Sequence, residues 1–184
     1  MQETLLDDLL DWIARHHFGK YRGVVKGTED PAKRGRIEVE VPAVLGDRKV
    51  WAMPCVPYAG DGVGMYFIPP EGAGVWVEFE GGDPSFPIWS GCFWADEQVP
   101  GDADPNIKLL KTAIAELKVD DSSKDVVFER ADGAKVTAND GLLAEAGDSS
   151  LDLAGSDATL SQGSASVKVG SGAVDLNSGA LKVQ

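Results

Sequence analysis

The 44 residues from Gly141 to Gln184 contain no aromatic side chain, so whatever they build has no bulky core of its own. Apolar pairs nevertheless recur there one residue apart, at Leu151/Leu153, Ala158/Leu160, Val167/Val169, Val174/Leu176 and Leu181/Val183. Their first members step by 7, 9, 7 and 7 residues. On an extended strand both members of a pair face the same way, because side chains alternate between faces. Gly, Ser, Asp and Asn fill the intervals, and these residues turn corners. The pattern predicts short strands folded at regular intervals, as in a β-solenoid or β-prism.

A single copy of such a segment has no second layer on which to bury its apolar side. Its 11 Leu and Val residues are too few to offset the cost of ordering the backbone. Either the segment is disordered or several copies share one core. Disorder goes with weak hydrophobicity and dense charge without spacing, whereas this spacing is kept to the final residues. The expected shared core is Leu151, Leu153, Leu160, Val167, Val169, Val174, Leu176, Leu181 and Val183.

Composition narrows the rest. At 184 residues the chain suits one ordinary domain plus an appendage. All five Trp precede residue 95, so the core-bearing region is the first half. A net charge of −13 argues against a nucleic-acid partner, which needs Lys and Arg in excess. No run approaches the length of a membrane span. The start, Met1-Gln2-Glu3, lacks the basic and apolar run of a signal peptide, so the protein is expected to be made and kept in the cytoplasm, or to leave as part of a particle. Cys55 and Cys92 lie in apolar runs without ligand partners and are expected to be buried free thiols.

Residues 1–20 carry an amphipathic helix over 4–17. Leu5, Leu6, Leu9, Leu10 and Ile13 fall on one side and Asp7, Asp8 and Asp11 on the other. Thr4 with Asp7 resembles a capping box. Such a helix either packs on its own domain or docks on a partner, and the spacing does not separate the two. Residues 21–95 switch to period two. Ile37, Val39 and Val41 alternate with charged residues, as do Val75, Val77 and Phe79. Further runs at Tyr21–Thr28, Val50–Val56 and Phe86–Phe93 make five strands without a crossover helix, which points to a small closed barrel of the OB type. Residues 96–106 read as a linker. Ile107, Leu110, Ile114 and Leu117 fit a helix, or two strands cut at 107–113 and 115–119.

Catalytic chemistry finds little footing. His16 and His17 are adjacent, without a cluster of further ligands, and no nucleophile elbow occurs. Gly60-Asp61-Gly62-Val63-Gly64 joins β-type segments and lacks the Lys and helix of a phosphate loop. Glu78 and Glu80 share the solvent side of a strand, and with Asp83 they read as surface carboxylates rather than a glycosidase pair. No catalytic residue, metal or cofactor is expected.

Three blocks carry a resemblance. They are Tyr21-Arg22-Gly23-Val24-Val25, the run Gly35 to Pro42 (Gly-Arg-Ile-Glu-Val-Glu-Val-Pro), and Trp51 to Gly60 (Trp-Ala-Met-Pro-Cys-Val-Pro-Tyr-Ala-Gly). With Pro69–Gly82 and Asp83–Trp94, they resemble the phage baseplate assembly protein V family, whose OB domain is related to that of type VI valine-glycine-repeat spikes. The resemblance implies an all-β homotrimer. An N-terminal helix and five-stranded OB barrel would be followed, over 107–184, by an intertwined triple-stranded β-helix or β-prism. It further implies a structural spike in a virion tail baseplate or injection particle, seated on a trimeric hub protein and piercing the target cell membrane transiently. Lys20, Arg22, Lys33, Arg34 and Arg36 become candidate hub contacts. Some spikes of this kind insert a muramidase domain, and this chain runs straight on. Others carry a His-x-His iron site near the tip, and the C-terminal half here has no histidine. Lys182, Val183 and Gln184 are then expected to meet a separate PAAR-type tip protein, since an open strand end is a liability normally covered. The main rival is an OB module for oligonucleotide or oligosaccharide with a disordered tail. A wall-degrading enzyme is the weakest option for want of residues.

Overall fold

A computed structural model describes residues 2–183, with side chains described for residues 5–181. The chain divides into two compact units, Met1–Val99 and Pro100–Gln184.

In the first unit, helix α1 (Gln2–Arg15) precedes a closed barrel. The helix starts earlier than its spacing suggested, so Thr4 lies inside it rather than capping it. It also ends sooner, leaving His16 and His17 in the exit segment. The barrel strands are β1 (Tyr21–Gly27), β2 (Ile37–Glu40), β3 (Lys49–Pro54), β6 (Gly74–Phe79) and β7 (Pro87–Phe93), ordered β1-β2-β3-β7-β6. Four pairings are antiparallel, and a short parallel pair, Met53↔Ile88 and Pro54↔Trp89, closes the ring. Alternation does what period two requires: Ile37, Val39, Val75 and Val77 are fully buried with Val25, Val41 and Ala52. Phe79, Trp89 and Leu45 complete the core.

Between β2 and β3 lies a four-residue helix, α2 (Pro42–Leu45), opened by Pro42 in the first turn, where a missing N–H costs nothing. The glycine-rich stretch after β3 is a hairpin, β4 (Tyr58–Gly60) and β5 (Val63–Met65), turning at Asp61-Gly62. Cys55 and Cys92 are free, but both are exposed. Cys55 follows the end of β3. Cys92 lies on β7 beyond a register shift, where Val77↔Trp89 gives way to Val75↔Cys92 and the simple alternation breaks.

The exit from α1 is pinned to the barrel. The His17 amide donates to the Gly82 carbonyl at 2.8 Å. Gly82 has φ +83, and a Cβ there would sit 2.9 Å from the Phe18 ring and 3.1 Å from the His16 Cβ. Gly82→Ala is therefore expected to cost about 1–2 kcal/mol from the left-handed backbone alone, with the clash added. Thermal melting of the variant against wild type measures it, and an unchanged melting temperature would refute the close packing.

The second unit is one sheet of ten antiparallel strands in sequence order. These are β8 (Ile107–Lys111), β9 (Ala115–Asp120), β10 (Asp125–Arg130), β11 (Lys135–Ala138), β12 (Leu142–Ala146), β13 (Ser149–Ala154), β14 (Asp157–Gln162), β15 (Ala165–Val169), β16 (Val174–Leu176) and β17 (Leu181–Val183). The ambiguous run 107–119 is strand, and the rival's disordered tail is not what the chain forms. The regular intervals are hairpin reversals rather than solenoid corners. At Gly147-Asp148, Gly155-Ser156 and Gly163-Ser164, two residues join paired strands, with φ of 55–60° at each glycine. A glycine with positive φ in the first central position is what a type II′ hairpin needs. Every hydrogen-bonded neighbour in the sheet is the next strand of the same chain, so this chain by itself shows a meander and no intertwining.

Candidate functional site

Register decides where the apolar side chains of the meander go. One row of directly opposed residues crosses all ten strands: Leu110, Leu117, Phe128, Val136, Ala144, Leu151, Leu160, Val167, Leu176 and Leu181. A second row, two residues along each strand, runs through Val119, Val126, Ala138, Leu142, Leu153, Ala158, Val169, Val174 and Val183. Directly opposed residues share a face, and residues two apart share it too. Both rows therefore lie on one side of the sheet.

Among the described residues nothing in the second unit is layered on that side. Leu110, Leu117, Phe128, Leu151 and Leu181 are exposed, and Leu160 is 56% exposed. The reverse side carries Asp152, Thr159, Lys168 and Asp175 in one opposed row, with Lys168 paired to Asp157 at 2.7 Å. From β13 onward the sheet is thus apolar on one face and charged on the other. Eight of the nine residues expected to form a shared core, from Leu151 to Leu181, fall on the apolar face. The rows extend it through β8–β12, where Leu110, Leu117, Val119, Val126, Phe128, Val136 and Leu142 join it. Gln184 lies outside the described residues, as do the side chains of Lys182 and Val183; the backbone of Leu181–Val183 forms the last edge of the sheet.

The basic residues at the start of the barrel are not one free patch. Lys20 donates to Glu78 and to the Ser90 hydroxyl, both at 2.7 Å. Arg22 lies over the rings of Trp76 and Phe93, 5.2 and 4.9 Å from their centroids. Arg36 grips Asp30 through Nε and Nη2 at 3.0 and 2.7 Å and stacks over Trp51 at 5.5 Å. Lys33, at φ 51, and Arg34 are exposed on the loop that Asp30 organises, and neither makes an ion pair among the described residues. An open groove of about 770 Å³ beside this loop is lined by Arg34, Arg36, Trp51, Met53, Glu80 and Phe86 among others. With Arg36 committed and Glu80 present, it offers little to a phosphate backbone, which nucleic-acid binding requires.

Residues 21–94 match the family described as the type VI secretion system/phage-baseplate injector OB domain. Over those residues the chain is similar to that family. The match runs from the first residue of β1 to just past β7, so it covers the closed barrel and its hairpin and neither α1 nor the ten-stranded sheet. No curated protein matches the chain. In this barrel the carboxylates weighed for catalysis are not buried. Glu78 answers Lys20. Asp83 accepts from the Ser85 amide at 2.8 Å, which holds its carboxyl below the usual range. Among the described residues no three His, Cys, Asp or Glu side chains cluster as metal ligands would. Among the described residues no helix is long and apolar enough to cross a membrane.

Proposed function

We propose that the chain is the central spike of a contractile tail or injection baseplate. Its injector OB domain is attached to a trimeric hub, and its ten-stranded sheet meets two further copies with the apolar faces turned inward. The observation that carries this is the pair of apolar rows on one uncovered face. Each Leu or Val removed from water is worth roughly 1.5–3 kcal/mol, and a single sheet cannot collect it. Three such sheets facing a common axis can, with the Asp152–Lys168 side left in water. The result is a three-walled prism whose dry centre resists bending when a sheath drives it forward, and no bond is made or broken. A PAAR-type tip protein would cover the last strand, and the particle would reach the target membrane only as it fires.

Mass measurement by light scattering on the purified chain tests the reading. The expected particle is three times the 19.5 kDa of one chain, with a β-rich circular dichroism spectrum. A monomer with coil signal would overturn it.

A further inference from the structure

Helix α1 is amphipathic and uncovered. Leu5, Leu6, Leu9, Leu10 and Ile13 are 52–71% exposed, so the helix does not pack on its own barrel. At 3.6 residues per turn these positions, with Trp12 at their margin, span an arc of about 160°. Asp7, Asp8 and Asp11 occupy the opposite side. The exit of the helix is fixed: His16 Nδ1 donates to the Trp12 carbonyl at 2.7 Å, the Trp12 and His16 rings stack at 4.3 Å, and the His17 amide is held by Gly82. The apolar arc is therefore presented from a rigid base.

We infer that α1 docks into an apolar groove on a different protein chain, a groove rimmed by Lys or Arg. The occupant follows from width and charge. A coiled-coil seam between copies uses a narrow stripe, about two positions in seven. An arc this wide needs cover on more than one side, which a groove supplies. The helix has one cation, Arg15, and Asp11 already holds it at 2.6 Å. A bundle of copies packed through the arc would turn Asp7 and Asp8 outward and offer them no cation, since the one on the helix is already taken. Helices that lie on anionic membranes carry Lys and Arg on the polar face, and this one carries aspartates. A basic rim on a partner protein fits both faces at once. Under the injector reading, on which the partner's identity rests, that partner is the hub, and the attachment runs through α1 rather than through Lys20, Arg22 and Arg36, which already hold partners on the barrel surface.

The test places a photo-crosslinking phenylalanine at Leu9 of the full chain in assembled particles and identifies adducts by mass spectrometry. A single adduct to a hub peptide bearing Lys or Arg is expected. In parallel, Leu9→Asp should reduce hub co-purification at least tenfold while the oligomer mass stays unchanged. An adduct to α1 of a second copy, or a changed oligomer mass, overturns the proposal. So does flotation of the wild-type chain with phosphatidylcholine/phosphatidylglycerol vesicles that Leu9→Asp abolishes. Normal trimers without a hub adduct refute the docking alone. A monomeric chain absent from particles refutes the spike reading as well.

Discussion

Replacing Leu176 or Val169 by aspartate is expected to abolish stable trimers. Leu176 opposes Val167 and Leu181, and Val169 opposes Ala158 and Val174, so each has an apolar partner on both sides within its row. In three sheets with these faces inward, either change sets three carboxylates near one axis. A buried charge without a partner costs about 3–5 kcal/mol, and here it is incurred three times. The paired control is Lys168→Ala, on the same strand as Val169 and the opposite face. It removes only a solvent-exposed ion pair to Asp157, worth at most about 1 kcal/mol, and should leave trimers intact. Heat resistance in SDS gels and mass by light scattering read both variants. Aspartate variants that stay trimeric would show that these positions do not face inward, whatever the rest of the chain does.

That test depends on a pattern visible in the residues before any coordinates. Pairs one apart had to share a face, and the four pairs from Leu151 to Leu176 do. What the pairs did not reveal was how the chain reverses between them. Solenoid corners and hairpins both use Gly, Ser and Asp. The deciding detail was that Gly-Asp or Gly-Ser dipeptides at 147, 155 and 163 leave two residues for a reversal, which suits type II′ turns. The run 107–119 was ambiguous for a related reason. Leu110 and Leu117 are two turns apart on a helix, yet they are direct partners across the β8–β9 hairpin. Spacing that satisfies both periods cannot choose between them; Thr112 does, its hydroxyl receiving the Ala115 amide at 3.1 Å inside the turn.

The barrel was legible where alternation was strict, at Ile37–Val41 and Val75–Phe79, and obscure where contacts are distant in sequence. The parallel closure of β3 on β7 leaves no local mark. Neither does the fate of the basic residues: Lys20 and Glu78 are 58 positions apart, and Arg22 finds its rings at Trp76 and Phe93. Cationic side chains read as a patch when only their order is known. In space, Lys20, Arg22 and Arg36 among the five proposed hub contacts already have partners on the barrel, whereas the apolar side of α1 is left uncovered. The buried-thiol expectation failed for the same reason. An apolar run implies burial only while alternation holds, and the register shift on β7 interrupts it before Cys92.

Asp30→Asn should lower the melting temperature of the barrel by roughly 5–10 °C at neutral pH, since buried hydrogen-bond networks are costly to break and small domains respond by degrees of this order. Asp30 accepts from the amides of Ala32, Arg34 and Arg36 at 3.0, 2.7 and 3.2 Å, and from both Arg36 nitrogens. This one carboxylate ties the loop between β1 and β2 into a closed turn and fixes Arg36 on Trp51. The Arg36 guanidinium, with the three amides behind it, holds the carboxyl far below its ordinary value of 3.8. A carboxylate depressed in the folded state adds stability above the unfolded value and loses it as pH falls through the folded one. The wild-type advantage over Asp30→Asn is therefore full above about pH 5 and should shrink steadily as pH is lowered from 4 toward 2. Melting both proteins across that range isolates Asp30, because the other carboxylates titrate alike in each. Two parallel curves would mean that the ion pair carries no weight in the barrel. Arg36 would then be released for contact with a partner, and the division of labour between the basic loop and the apolar helix would have to be redrawn.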